Sequence, residues 1–370
     1  MILKSIYLKN FRLHKNSVLD FSDELNYIVG GNGQGKTTIL ESIYYLCTTK
    51  SLNGSSDYEA VNFNDDSFEI RGKFYELTEN NVVVNFLNET KRKNIFIDEK
   101  QIYRSSEVIG KFPVVTLTQS DHAVTFGSPG DRRKFIDSVI SQTSETYLKI
   151  LIEYNKTLKQ RSSLLSQIKE RFSPALIDQL DAWSEALVMN GTEIIKHRLN
   201  FIDEFNTYVS EAYKSVMEET ETPFIDYEFY GSKNINEIED KFKEELISNR
   251  NDELRRATNL VGPHRDEFQF ILNEKELRKY GSQGQHKTFQ IALRFAQFFY
   301  MKDKIQKSPI FLMDDIFGEL DLYRAKQISR YLKQIGQAFI TMTDFTNYQF
   351  LVRNEKDRLF EIKEGKAVYA

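Results

Sequence analysis

Gly30-Gly31-Asn32-Gly33-Gln34-Gly35-Lys36-Thr37 is the stretch on which the reading of this chain turns. It matches the pattern GxxxxGK[ST], in which glycines let successive backbone N–H groups fold into a nest around phosphate oxygens. Its context is the one that pattern requires. Leu25-Asn26-Tyr27-Ile28-Val29 before it reads as a short buried strand, and Ile39, Leu40, Ile43 and Leu46 after it repeat at helical spacing. A helix starting at Lys36 points its N-terminal partial positive charge at the same phosphates. Gly30, Gly31, Asn32, Gly33, Gln34, Gly35, Lys36, Thr37 and Thr38 are therefore expected to cradle ATP. Lys36 reaches the β- and γ-phosphates and Thr37 binds Mg²⁺. The competing reading is a glycine-rich surface turn.

A second half of such a site stands far along the chain. Ile310-Phe311-Leu312-Met313 reads as a buried strand and ends in Asp314-Asp315. Asp314 is placed to hold the Mg²⁺ shell. Asp315 is placed to polarise the attacking water, a catalytic role shared with Lys36. The alternative for this pair is capping of the next turn. Small GTPases and simple kinases keep the two motifs close; here most of the chain lies between them.

Ser282-Gln283-Gly284-Gln285 comes just before that strand and ahead of a helix. It resembles the signature motif of ABC-type ATPases, whose serine hydroxyl, glycine N–H and helix N-terminus bind the γ-phosphate of ATP held by another subunit. Ser282, Gly284 and Gln285 are thus candidate ATP contacts in trans. A plain Ser-Gly turn with an N-cap is the commoner meaning of those letters alone. Glu319-Leu320-Asp321 resembles the D-loop of the same class.

Composition narrows the class. The 370 residues allow about two domains. Hydrophobic residues make up 40% and charged residues 28%, as in soluble globular proteins. No run of eighteen apolar residues predicts a membrane span, and the N-terminus lacks the pattern of a signal peptide. The one cysteine, Cys47, excludes a disulfide framework. The five histidines form no HExxH pair, so no zinc site built by protein alone is expected. Together these features point to the cytoplasm. A net charge of −4 gives no global drive toward nucleic acid, so any DNA contact must come from a local basic face.

The order of elements suggests three segments. Residues 1–125 read as mixed α/β, with strands at Phe68–Tyr75, Val82–Leu87, Asn94–Asp98 and Pro113–Thr118 and one antiparallel patch. Residues 126–300 read as mainly helical, with long helices at Glu145–Arg171 and Leu176–Glu219, a strand near Ile225–Tyr230 and a hairpin of Phe268–Leu272 and Glu276–Leu277 around Asn273-Glu274. In residues 301–370 the α/β character returns, with strands Ala338–Met342, Leu359–Lys363 and Ala367–Tyr369.

These pieces together resemble the RecF family, bacterial recombination mediators related to SMC-type ATPase heads. The resemblance spans essentially the whole chain. It rests on Leu8-Lys9-Asn10-Phe11-Arg12, the phosphate loop with Leu40-Glu41-Ser42-Ile43, and Gly127-Ser128-Pro129 leading to Arg132-Arg133-Lys134-Phe135-Ile136-Asp137. Gly262-Pro263-His264-Arg265-Asp266, Gly281-Ser282-Gln283-Gly284-Gln285 and Glu319-Leu320-Asp321 complete the set. It implies an α/β fold: an ABC/SMC-type P-loop ATPase head built from both chain ends, with an inserted mainly helical lobe.

The resemblance further implies a weak, DNA-stimulated ATPase that uses ATP and Mg²⁺. It implies an ATP-dependent homodimer on single- and double-stranded DNA and at gap junctions. It also implies a role in gap repair with RecO- and RecR-type proteins, in RecA loading and in the SOS response. The chain departs from the usual patterns of these ATPases in three places. Gln119-Ser120-Asp121 stands where Pro-Glu-Asp is usual, and Gln119 is the candidate Q-loop residue that senses the metal. Gly318 replaces a serine before the D-loop. Thr343-Asp344 occupies the switch position in place of the histidine of transporters, and threonine there suits the RecF family.

For DNA, the candidate contacts are Arg132 and Arg133 with Lys134, Lys156 and Lys159 with Arg161, and Arg255 with Arg250 and Arg256. Phosphate contacts of this kind are sequence-independent and salt-sensitive. Each cluster has an alternative as a solvated face. Arg132-Arg133 has a further one, the pairing of carboxylates inside the structure. A nuclease-bearing ATPase would need an added metal–carboxylate cluster, which the sequence does not offer. A transporter subunit would not carry the long helical insertion.

Overall fold

A computed structural model of the chain describes residues 1–217, 221–344, 351 and 354–369. In chain order the first part holds strands β1 (Ile2–Phe11), β2 (His14–Asp20) and β3 (Leu25–Val29), helix α1 (Lys36–Thr48), and strands β4 (Ser67–Tyr75), β5 (Glu79–Leu87), β6 (Arg92–Ile97), β7 (Lys100–Ile102) and β8 (Val114–Leu117). Helices α2 (His122–Phe126), α3 (Pro129–Thr143), α4 (Glu145–Glu170) and α5 (Pro174–Met217) follow. Then come β9 (Pro223–Tyr227), α6 (Ile238–Arg256), β10 (Phe268–Leu272), β11 (Lys275–Glu276), α7 (Leu277–Tyr280) and α8 (Gln283–Ile305). The chain closes with β12 (Ile310–Asp314), α9 (Leu322–Leu332), β13 (Ala338–Met342), β14 (Arg358–Lys363) and β15 (Lys366–Tyr369).

The contacts divide the chain into two compact units. The first is Met1–Asp121, Ala212–Glu219 and Ile291–Ala370; the second is His122–Glu211 and Thr220–Gln290.

The first unit contains two sheets. One is antiparallel, in the order β2-β1-β4-β5-β6-β7. Its strands alternate buried and exposed, as one-sided sheets do: Phe68, Ile70 and Phe74 of β4 point inward while Arg71 and Lys73 point outward. The other sheet runs β15-β14-β3-β13-β12-β8, and β14, β3, β13, β12 and β8 are mutually parallel. Its central strands, Phe311-Leu312-Met313 and Ala338-Phe339-Ile340-Thr341-Met342, are buried on both faces, which explains their unbroken apolar runs.

Helix α1 packs with Ile39, Leu40, Ile43 and Leu46 wholly buried. Each such side chain contributes about 1.5–3 kcal/mol of transfer free energy, so the helix carrying the phosphate loop is firmly anchored. The buried amide of Gln337 ties the two sheets together. It accepts from Leu3 N at 2.7 Å and donates to Leu3 O and Ser22 O, each at 2.7 Å.

The second unit packs α3, α4, α5 and α6 with the small sheet β11-β10-β9. Its interior is unusually ionic. Arg198 of α5 is wholly buried and donates to Asp137 of α3 at 2.8 and 3.0 Å, to Asp266 at 3.3 Å and to the Pro263 carbonyl at 2.7 Å. Arg161 of α4 meets Glu253 of α6 at 2.8 Å and also bonds Asn259. Buried guanidinium groups require this degree of pairing.

The strands and helices expected from the sequence are present, with shifted ends. The strand expected near Ile225–Tyr230 runs Pro223–Tyr227, because Tyr230 and Gly231 adopt positive φ (45° and 74°) in a turn. Leu277, expected in the hairpin strand, opens α7 instead. Asn273 and Glu274 both take positive φ (50° and 63°), as a tight two-residue hairpin demands. The end expected for the long helix, Glu219, lies outside the described residues. The parallel sheet joins strands from both chain ends, which is the α/β head expected above.

Candidate nucleotide-binding site

The phosphate loop leaves β3 and enters α1. Gly33 and Gly35 take φ of 76° and 101°, which lets the loop turn back on itself. A Cβ on Gly30 would stand 2.5 Å from the Ile362 carbonyl of β14, so only glycine admits that close approach. The Lys36 ammonium folds over the loop and donates to Gly30 O at 2.6 Å and Gly31 O at 2.9 Å. Burial pushes its pKa below the ordinary value, against the pull of Asp315 and Asp314.

Thr37, the next residue, joins the two distant motifs. Its hydroxyl donates to Asp314 Oδ1 at 3.0 Å and lies 3.1 Å from Oδ2. Register explains the meeting. Strand β13 pairs in parallel with both β3 and β12, so the C-terminal ends of β3 and β12 finish on the same sheet edge. Open parallel sheets bind ligands at that edge.

Asp314 also accepts from Thr341 Oγ1 at 2.6 Å, and Thr341 Oγ1 accepts from Asp315 N at 2.9 Å. Thr341 was not singled out in the sequence. Its signal was faint: a hydroxyl inside the otherwise apolar run of β13. Asp315 adopts φ of 50°, an uncommon backbone for a non-glycine residue. Its carboxyl pKa is raised by burial, opposed by Lys36 and reinforced by Asp314 and Glu319. That direction suits a group meant to accept a proton.

The donor set fits Mg²⁺ held in part by phosphate oxygens. One carboxylate, Asp314, and one hydroxyl, Thr37, already face each other, and such sites take few protein ligands. Among the described residues no group of three or more His, Cys, Asp or Glu gathers into a metal site.

Gln119 is exposed and opens a short 3₁₀ turn, Gln119–Asp121, just beyond the end of β8. Because β8 pairs with β12 as Leu117↔Met313, this turn stands at the sheet edge where Asp314 lies. Asp121 braces it, accepting from Thr118 N at 2.9 Å and from Arg294 Nε at 3.1 Å.

In the second unit, Ser282 caps α8. Gln285 N donates to Ser282 Oγ at 3.2 Å, and Ser282 N donates to Gln285 Oε1 at 2.8 Å. This reciprocal capping box realises the capping alternative read from the letters. It also leaves Ser282 exposed on a helix N-terminus, while Gln285 is further tied to Glu221 at 2.6 Å.

The basic clusters divide sharply. Arg132 is only 4% exposed and forks onto Glu267 at 2.7 and 3.0 Å. It is therefore corrected from a DNA contact to an internal ion pair, since a buried guanidinium cannot reach a phosphate without leaving a carboxylate bare. Arg161 is corrected for the same reason. Arg133 is partly buried and donates to the Asp266 carbonyl. Lys156, Lys159 and Arg255 are exposed. Lys156 meets Glu153 at 3.3 Å and Arg255 meets Asp252 at 2.7 Å. Exposed pairs of this sort are weak enough to be exchanged for a ligand.

A parallel sheet that gathers a phosphate loop, a distant Asp-Asp strand and a candidate Q-loop glutamine on one edge defines a P-loop ATPase head of the ABC/SMC type. The family profile described as RecF/RecN/SMC N terminal domain matches residues 2–366. The chain is 40% identical to the DNA replication and repair protein RecF of Chloroherpeton thalassium, covering 93% of this chain and 95% of the relative. It is 36% identical to the protein of that description from Lachnoclostridium phytofermentans, over 99% of both chains. A solved structure of the recombination mediator protein RecF with ATP in the RecFOR pathway superposes with a TM-score of 0.90 at 31% identity, covering 100% of this chain and 97% of that one. An SMC head domain from Pyrococcus furiosus, at 15% identity and a TM-score of 0.58, shares the fold. The chain belongs to the RecF family.

Proposed function

We propose that this chain is an ATP-driven switch of DNA replication-gap and recombinational repair. It binds Mg-ATP, closes into a homodimer on DNA and reopens on hydrolysis. The observation that carries this reading is the bond between Thr37 and Asp314, two residues 277 positions apart that meet at one sheet edge. Relatives described as DNA replication and repair proteins, and a structural neighbour described with ATP, support it.

In this reading Gly30 to Thr38 cradle the phosphates, Thr37 and Asp314 hold Mg²⁺, and Gln119 senses it. The ion offsets phosphate charge. Asp315 holds the attacking water and takes its proton, and Lys36 leaves the loop carbonyls for the phosphates. Ser282, Gly284 and Gln285 of one copy serve the nucleotide of the other. Arg133, Lys156, Lys159 and Arg255 are the remaining DNA contacts on single- or double-stranded substrates. Partnership with RecO- and RecR-type proteins at gap junctions, help in RecA loading, support of the SOS response, DNA-stimulated turnover and a cytoplasmic location complete the proposal. Among the described residues no helix is long and apolar enough to cross a membrane.

Light scattering with Mg²⁺ and a non-hydrolysable ATP analogue tests it. The wild-type mass doubles, and Ser282→Arg stays monomeric while still binding the analogue. An unchanged wild-type mass sinks the shared-site reading.

A further inference from the structure

Among the described residues, three polar features stand outside the machinery above: the buried arginine network of the second unit, the outer face of the antiparallel sheet, and the buried contacts behind the phosphate loop. The third carries an inference. We propose that His14, Ser17 and the terminal hairpin turn Glu364-Gly365 form a clamp that presets the phosphate loop for nucleotide. This makes His14 a positioning residue. The inference rests on the reading that the loop binds ATP.

The contacts converge from two sides. From the β2 side, the His14 ring is wholly buried and its Nε2 lies 3.1 Å from the carbonyl of Gly35, the residue that caps α1. A carbonyl only accepts, so Nε2 carries the proton there. His14 Nδ1 lies 3.0 Å from Ser17 Oγ, whose one proton serves either Nδ1 or, at 3.2 Å, the Gly365 carbonyl. From the β14–β15 side, Glu364 N donates to the Gln34 side chain at 2.6 Å and Gly365 N donates to the Gln34 carbonyl at 3.1 Å. Gln34 and Gly35 are thus both gripped through their carbonyls, and Gln34 through its side chain as well.

The sequence of the turn suits this grip. Glu364 and Gly365 take positive φ of 49° and 72°, as a two-residue hairpin requires. A Cβ on Gly365 would stand 2.5 Å from the Leu13 carbonyl, so a larger residue drives the turn off the loop. Strand β14 pairs in parallel with β3 as Glu361↔Val29, which delivers the turn beside the loop where it leaves β3.

A loop whose carbonyls are already fixed presents its N–H groups to phosphate at smaller ordering cost. Loss of the grip should therefore act on affinity more than on chemistry.

The test measures amide hydrogen exchange over residues 30–37 without nucleotide, and binding of a fluorescent ATP analogue, in the full chain. His14→Ala and Gly365→Ala are expected to speed exchange and weaken the analogue about 10-fold. Ser17→Ala does so less. His14→Gln, which still offers an N–H to Gly35, recovers most of the loss. At saturating ATP, turnover stays near wild type while KM rises. Wild-type protein that binds no analogue overturns the ATP reading and leaves the exchange result to judge the clamp. Wild-type binding with unchanged exchange and affinity in Ser17→Ala and His14→Ala overturns the clamp. Should His14→Ala not fold, Ser17→Ala and His14→Gln decide alone: exchange and affinity unchanged in the first, or no better in the second than in Gly365→Ala, overturns it.

Discussion

Lys36 of the first unit and Arg198 of the second are both buried cations, and they are treated in opposite ways. Lys36 donates to two neutral carbonyls of its own loop, and burial pushes its pKa down. Arg198 is surrounded by Asp137, Asp266, the Pro263 carbonyl and the Tyr147 hydroxyl. On the proposed reading Lys36 is kept for a ligand, and its carbonyl partners are ones it can abandon. A cation that holds helices together is given counter-charges it cannot abandon without exposing them. Asp315, whose charge pulls on Lys36, also takes a positive φ of 50°, an uncommon backbone for a non-glycine residue.

Breaking the two cations should give opposite phenotypes. Arg198→Met leaves the buried Asp266 and the partly buried Asp137 without their partner and is expected to cost about 3–5 kcal/mol in a denaturant melt. Lys36→Met is expected to change that melt by less than Arg198→Met and to weaken nucleotide binding by about 10- to 100-fold, the loss of charge-assisted bonds to phosphate. Comparable melting losses in both variants would erase the distinction.

A smaller effect probes the second unit through pH. His264 Nδ1 lies 2.8 Å from the Tyr154 hydroxyl and Nε2 lies 3.3 Å from the Asn259 carbonyl, and burial holds the ring pKa at about 4 against an ordinary 6.5. The unfolded chain takes up a proton at this residue as pH falls below 6.5, while the folded chain does not until about 4. The stability it contributes is therefore present above pH 6.5 and lost on acidification across that window. His264→Gln keeps both bonds and cannot titrate. It is expected to lose about 2 kcal/mol less than wild type over the same interval; parallel stability curves would show that the ring is not neutral in the fold.

The smallest effect separates the basic clusters. Lys159→Ala should lower the salt slope of DNA binding by about one unit with little change in stability. Arg132→Ala should do the reverse, because its guanidinium already holds Glu267. A flatter salt slope in Arg132→Ala with an unchanged melt would return that residue to the DNA surface.

What could be read without the fold was whatever depends on local spacing. The glycines before Lys36, the apolar run ending at Asp314-Asp315 and the helix after Ser282 each state their geometry within a dozen residues. That was enough for the phosphate loop, the parallel-sheet head and the family. Positive φ at Asn273-Glu274 and Glu364-Gly365 likewise belongs to short turns that adjacent residues specify.

What the letters left open was which charges face inward. Arg132 and Lys134 stand two positions apart in one basic run, yet Arg132 is buried on Glu267 and Lys134 is exposed. The difference is one of helix face, decided by packing against a segment 135 residues away. The same holds for Thr341, which looks like any strand residue until β13 brings it against Asp314. It holds again for His14 and Gly365, whose shared grip on the phosphate loop joins opposite ends of the chain. Local sequence determined the conformations a few residues can adopt among themselves. Which side chains meet across the sheet edges was decided by strand register and burial, because those contacts exist only once the two ends of the chain are folded into one sheet.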